Sequence, residues 1–135
     1  MSNLTVWFIK SALVYFLLAT LIGIYMTIGG PLYPFRPIHV HLNLLGWLSM
    51  MIYGVAYHIL PRFSGMPLWS EKLATAHLWT ANIGLLGMSL GWIVMQGGGG
   101  ISALHLFAFI EGLSIVFFMT NMFKTIKAAP APAKK

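Results

Sequence analysis

Residues 38–60 read IHVHLNLLGWLSMMIYGVAYHIL, a run of 23 residues without a single Asp, Glu, Lys or Arg. An α-helix needs about 20 predominantly apolar residues to cross the hydrocarbon core of a bilayer. Three further runs reach that length, at residues 4–28, 73–95 and 101–123. The sequence therefore predicts an all-α fold, a four-helix transmembrane bundle.

The composition agrees with a membrane protein. Of the 135 residues, 59% are hydrophobic and only 7% are charged, whereas about 25% of the residues of a soluble domain are charged. The segments between the apolar runs are too short for a domain outside the membrane. We expect a single four-helix transmembrane domain over residues 1–127, followed by a disordered basic tail, AAPAPAKK, over residues 128–135.

The basic residues predict the orientation. Seven of the eight belong to the side of the membrane that carries both termini, and Arg36 alone belongs to the other side. Because cytoplasmic segments are enriched in Lys and Arg, we expect both termini in the cytoplasm of a bacterium or archaeon, with the lipid bilayer as first partner. The first apolar run is too long for a cleaved signal peptide. The net charge of +6 arises from this asymmetry and does not indicate nucleic-acid binding.

Five histidines lie near the predicted membrane boundaries. His39 and His41 open the second apolar run and His58 closes it, while His77 opens the third run and His105 opens the fourth. An ionisable side chain in hydrocarbon costs about 2.5–3.5 kcal/mol, so it usually has a partner. Neutral imidazole is a good ligand for iron and copper, so the pattern indicates metal or haem sites. The absence of cysteine excludes covalent c-type haem and iron–sulfur clusters.

The predicted topology sorts four histidines into two levels. His41 and His105 lie near the outer surface, and His58 and His77 lie near the inner surface. The 17 residues from His41 to His58 span about 25 Å of helix. These pairs predict haem iron ligation by His41 and His105 on the outer side, with a second haem iron held by His58 and His77 on the inner side. A hydrogen-bonded structural role is the alternative for each histidine.

Three other groups belong to this hypothesis. His39 and His41 point in directions about 200° apart on a helix, so only one of them faces the bundle interior. A 3.5-residue period favours His41, leaving His39 for the interface, another helix or a supporting role. Arg36 and Arg62 would neutralise haem propionates on the outer and inner sides, or would only mark membrane boundaries. Glu111, the one carboxylate predicted in the hydrocarbon, is a candidate proton relay or partner of a buried polar group.

One segment carries a family resemblance. Residues 36–65, RPIHVHLNLLGWLSMMIYGVAYHILPRFSG, resemble the NnrS-type haem proteins and the haem–copper oxidase superfamily, above all its nitric oxide reductases and C-family oxidases. The match is His41 followed by Leu42, Asn43, Leu44 and Leu45, and then a helix that ends in Ala-Tyr-x-x-x-Pro. Residues 76–88, AHLWTANIGLLGM, are similar to a following helix of the group. The resemblance covers about half of the chain and implies that His41 binds low-spin haem b.

The resemblance also implies what the chain lacks. A catalytic subunit of this superfamily has about twelve helices, including those that supply the binuclear metal site, so oxygen or nitric oxide reduction is not expected in one chain. The leading hypothesis is a b-type cytochrome with one or two bis-histidine haem b groups, an electron-transfer protein rather than an enzyme. Its expected partners are quinol, the subunits of a larger redox complex and further copies of itself. The alternatives are a nitric-oxide-responsive or gas-sensing haem protein and a non-redox structural subunit.

Overall fold

The computed structural model describes residues 1–127 of the chain, so the predicted tail over residues 128–135 lies outside the described residues. Four long helices follow one another: α1 (Asn3–Thr27), α2 (Phe35–Phe63), α3 (Glu71–Gln96) and α4 (Ser102–Thr125). All four are long and apolar enough to span a membrane, and residues 1–127 contain no β-strand. The predicted all-α, four-helix transmembrane architecture is therefore confirmed.

The helix ends follow from local sequence. Ser2 caps α1, because its side chain accepts a hydrogen bond from the backbone N–H of Thr5. Ser70 caps α3 in the same way through the N–H of Leu73, as its position before that helix predicts. The connection between α3 and α4 turns at Gly98, whose φ of 84° is a left-handed conformation that favours glycine.

The second helix is not uniform. It is α-helical over Phe35–His41, π-helical over Leu42–Ser49 and α-helical again over Met50–Phe63. A π-helix holds more residues in each turn than an α-helix, so it rotates all later side chains relative to earlier ones. The uniform 3.5-residue period assumed from the sequence is therefore wrong for this helix. The directions of His41 and His58 have to be taken from the structure.

The helices pack as two antiparallel hairpins, α1 with α2 and α3 with α4. Small residues allow the close approach within each hairpin. An added Cβ at Gly54 would lie 3.1 Å from Cβ of Phe8, and one at Gly91 would lie 3.0 Å from Cα of Leu104. Between the hairpins, α1 and α2 both contact α3, whereas no Cα atom of α1 lies within 8 Å of one of α4. The fourth helix is thus held mainly by the third.

Candidate functional site

His41 lies in the N-terminal part of α2, at the end predicted to face outward, directly before the π-helical segment. Its Nδ1 lies 2.9 Å from the carbonyl oxygen of Pro37, and its ring packs against the indole of Trp92 with centroids 4.6 Å apart. Because a carbonyl only accepts hydrogen bonds, Nδ1 carries the proton of this bond, and in the neutral imidazole Nε2 then carries the lone pair. Metal-binding histidines commonly have this arrangement, in which a bond at Nδ1 fixes the ring and leaves Nε2 to the metal.

His39 faces α1 rather than the same space as His41. Its Nδ1 donates to the carbonyl oxygen of Ala19 over 2.8 Å, and the amide of Asn43 lies 3.4 Å from its Nε2. The ring fits only because position 23 is glycine, where an added Cβ would lie 2.9 Å from Cε1 of His39. Both ring nitrogens therefore have partners within the chain, and His39 joins α2 to α1.

His105 does not approach His41. It is exposed on the lipid-facing surface of α4, whereas Leu104 and Phe107 of that helix pack against α3. No Cα atom of Phe35–His41 or Leu42–Ser49 lies within 8 Å of a Cα atom of α4. The two histidines predicted to share an outer haem thus lie on different surfaces of one chain.

The inner histidines have separate partners. His58 is half-buried, and its Nε2 is hydrogen-bonded to the guanidinium group of Arg62 one turn later on α2. His77 is fully buried, and the hydroxyl of Tyr57 lies 3.0 Å from its Nδ1. The structure therefore does not form the His58–His77 pair with both Nε2 atoms turned to one ligand. Arg36 is exposed at the outer end of α2.

Four aromatic rings surround His77. The ring centroids of Tyr53, Phe8, Phe118 and Tyr57 lie 4.5, 5.0, 5.5 and 5.8 Å from its own. These residues come from α1, α2 and α4, so the imidazole lies where all the helices meet. We did not predict this aromatic box from the sequence. The one signal was the spacing of Tyr53 and Tyr57, four residues apart and therefore on the same helix face.

Glu111 is the second buried ionisable group. Its side chain is 5% exposed, and its Oε2 has no hydrogen-bond partner within residues 1–127. It lies against the backbone of α3 at Gly84, where an added Cβ would lie 2.8 Å from Cα of Glu111. Glu111 is buried whereas His105 is exposed, so the two lie on different faces of α4.

The described residues do not form a multidentate metal centre. Over residues 1–127, no three histidine or acidic side chains come together as ligands of one metal ion. A single histidine can still hold one axial position of a cofactor that brings its own equatorial ligands. The candidate site is therefore the region around His41 at the outer end of α2. The buried polar groups near the bundle centre, His77 and Glu111, are a second candidate.

Comparisons with known proteins point to one group. Over 63 residues the chain is 41% identical to a cytochrome c oxidase subunit 1 from Rhodobacter capsulatus. The matched segment covers 44% of this chain and 12% of that protein. It is 37% identical over 57 residues to the Cbb3-type cytochrome c oxidase subunit CcoN1 of Stutzerimonas stutzeri, covering 41% of this chain and 12% of the relative.

A third relative extends this similarity. A cytochrome c oxidase subunit 1 homolog from Agrobacterium tumefaciens is 37% identical over 49 residues, 36% of this chain and 9% of its own length. The chain thus matches about one-eighth or less of each relative. No family model and no solved structure matches. These partial similarities agree with a small relative of the oxidase subunits.

Proposed function

We propose that this chain is a membrane haem protein, a b-type cytochrome in which His41 is an axial ligand of the iron. The carrying observation is the hydrogen bond from Nδ1 of His41 to the carbonyl of Pro37, which leaves Nε2 free to bind a metal. The partial similarity to cytochrome c oxidase subunits supports haem as the cofactor. Bound haem would supply a redox-active iron, and the protein would tune its potential through ligation, burial and nearby charge.

The surrounding residues fit one haem better than two. His41 provides a nitrogen ligand at the outer boundary, and Arg36, about one turn earlier on α2, provides a cation for a propionate. At the inner boundary, Nε2 of His58 is already bonded to Arg62, and His77 lies inside a closed aromatic box. We therefore propose a single haem on the outer side.

The second axial position decides between two functions. With a second strong ligand, the iron would be six-coordinate and suited to electron transfer, with quinol or another redox subunit as partner. With an open position, the iron would bind a small gas such as nitric oxide, and the protein would be a gas-responsive haem protein. The separation of His105 from His41 favours the second function for a single chain.

A second copy of the chain would supply the second axial ligand and so support electron transfer. The outward face of α4 carries His105 and, seven residues later, Gly112. An added Cβ at Gly112 would meet no atom within 4 Å, whereas the glycines at positions 84, 87 and 91 are each filled by a neighbouring helix. Glycine lowers helix stability and is common where membrane helices meet. We propose that this face contacts a second copy.

Absorption spectroscopy tests the proposal. We expect the purified protein to show a Soret band and, after pyridine treatment, one haem b per chain. A reduced protein that binds carbon monoxide has an open position and supports gas binding, whereas a six-coordinate spectrum unaffected by carbon monoxide supports electron transfer. A protein expressed with sufficient haem that shows no Soret band would contradict both functions and leave the structural subunit.

A further inference from the structure

Two buried polar atoms stand out, Oε2 of Glu111 and Nε2 of His77. Both are shielded from solvent, and neither has a hydrogen-bond partner within residues 1–127. More than about nine in ten buried polar groups in proteins do have a partner. Leaving one without a partner costs about 1–3 kcal/mol, so two of them in one small bundle call for an explanation.

The surroundings of Glu111 require its neutral form. On α3 its carboxyl group lies against the backbone at Gly84. Within residues 1–127, no basic side chain donates a hydrogen bond to its Oε2. A buried carboxylate without a cation or several hydrogen-bond donors is strongly unfavourable, so we infer that the Glu111 side chain is the neutral carboxylic acid.

A line of polar groups leads to Glu111 from the inner side. The contact of Gly84 with Glu111 fixes the register of α3 against α4. His77, seven residues before Gly84, therefore lies about 10 Å nearer the inner surface on the same side of α3. Tyr57 is hydrogen-bonded to Nδ1 of His77, and the ring of Tyr53, one turn earlier on α2, packs against His77 with centroids 4.5 Å apart.

The inner end of this line reaches polar groups at the membrane boundary. Asn121 of α4 is fully buried and lies three residues after Phe118, whose ring packs against that of Tyr57 with centroids 5.5 Å apart. Its own side chain accepts a hydrogen bond from the backbone N–H of Ser70 and donates one to the carbonyl of Ser70, over 3.1 and 2.8 Å. Ser70 lies in the connection before α3. Asn121 is thus the polar side chain between Tyr57 and the inner surface of the membrane.

In the outer half of residues 1–127, the polar side chains of α2 are only half-buried, and their hydrogen bonds go to α1 or stay within α2: His39, His41 and Asn43. Beyond Glu111, the buried residues of α3 are Gly87, Met88 and Gly91, and those facing them from α1 and α2 are apolar. The apolar set from α1 and α2 comprises Ala19, Ile38 and Leu42. The polar path is therefore one-sided and ends at Glu111.

We propose that Glu111 is a protonated carboxylic acid that exchanges its proton with the inner side of the membrane through Tyr57, His77 and Tyr53. Tyr57 gives a proton to Nδ1 of His77 along their hydrogen bond as Nε2 releases one to a water molecule. Water carries that proton past Tyr53 to the carboxyl group of Glu111, and the proton that Glu111 exchanges returns by the reverse of these steps. Each group regains what it gives, so no net charge stays in the bundle. The proposal does not depend on haem, because none of these groups is an assigned haem ligand in the proposed function.

Infrared spectroscopy of the protein in lipid vesicles tests this proposal directly. A protonated Glu111 gives a carboxyl C=O band that is absent in Glu111→Gln and shifts when the proton is replaced by deuterium. We expect the wild-type band to shift soon after transfer to D2O. In Tyr57→Phe, which keeps the ring and removes only the hydroxyl, we expect the shift to be about tenfold slower, which corresponds to about 1.4 kcal/mol in barrier height.

Controls separate the path from general damage. Tyr25→Phe removes an exposed hydroxyl near the other end of the bundle and should leave the exchange rate unchanged. Circular dichroism and the packing-sensitive tyrosine and tryptophan fluorescence verify that the variants fold. A band that is missing in the wild type would show that Glu111 is ionised, and equal exchange rates in Tyr57→Phe, His77→Phe and wild type would exclude the path. Either result overturns the proposal.

Discussion

The imidazole of His41 donates a hydrogen bond from Nδ1 to the carbonyl oxygen of Pro37, four residues earlier in the same helix and 2.9 Å away. A carbonyl oxygen has two lone pairs, so Pro37 can accept this bond besides a backbone one. The bond selects one ring orientation. His41 thus presents Nε2 in a fixed direction.

The first prediction concerns this Nε2 atom. Replacing His41 by Ala should abolish haem binding, because no other imidazole at the outer boundary has a free Nε2 of fixed orientation. His58→Ala is the matched control, since His58 also lies on α2 and its Nε2 is occupied by Arg62. The measurement is the ratio of Soret absorbance to protein in the purified variants. Haem loss in His58→Ala with retention in His41→Ala would refute the assignment.

The second prediction concerns His105. In detergent conditions that keep the protein monomeric, His105→Ala should bind as much haem as the wild type, because His105 lies on the opposite surface of α4 from α3 and far from His41. In the assembled protein the same variant should convert a six-coordinate spectrum into one that binds carbon monoxide. Loss of haem from the monomeric variant would mean that α4 rotates or shifts to bring His105 to His41.

The sequence predicted the fold well because hydrophobic length is a strong signal. The four predicted runs differ from the helices by only a few residues. The second helix shows the limit. The helix spans Phe35–Phe63, which is longer at both ends than the predicted residues 38–60. No residue type in the sequence predicts the π-helical turns at Leu42–Ser49. Angles between side chains across that segment were therefore not predictable.

The candidate site was predicted only in part. Depth in the membrane follows from position along a helix, so the sequence assigns each histidine a level only through the predicted topology. Whether two of them meet depends on how the hairpins pack, and periodicity alone does not give that. His105 illustrates the difference, since the sequence assigns it the same level as His41 but it is exposed on the outward face of α4. The aromatic box around His77 likewise depends on contacts between helices distant in sequence.

The third prediction compares two glycines in the α3–α4 hairpin. Gly84→Ala should destabilise the protein by about 1–3 kcal/mol, as overpacking does, because the added Cβ would lie 2.8 Å from Cα of Glu111. Gly112→Ala should be neutral or stabilising by up to about 1 kcal/mol, because alanine is the better helix former and meets open space. Thermal unfolding of the detergent-solubilised monomer measures both. Equal destabilisation would contradict the packing of this hairpin.

The fourth prediction tests the proposed contact between copies, and the chain suits it because it has no cysteine of its own. Gly112→Cys should form a disulfide-linked dimer when native membranes are oxidised, since Gly112 lies on the outward face of α4 with room in front of it. Leu106→Cys is the control: it is also exposed, at 57%, but points about 120° away around the helix. Efficient cross-linking of Leu106→Cys alone would place the partner on a different face. Cross-linking of neither variant would leave α4 facing lipid, and the second axial ligand could not then come from a copy docked there.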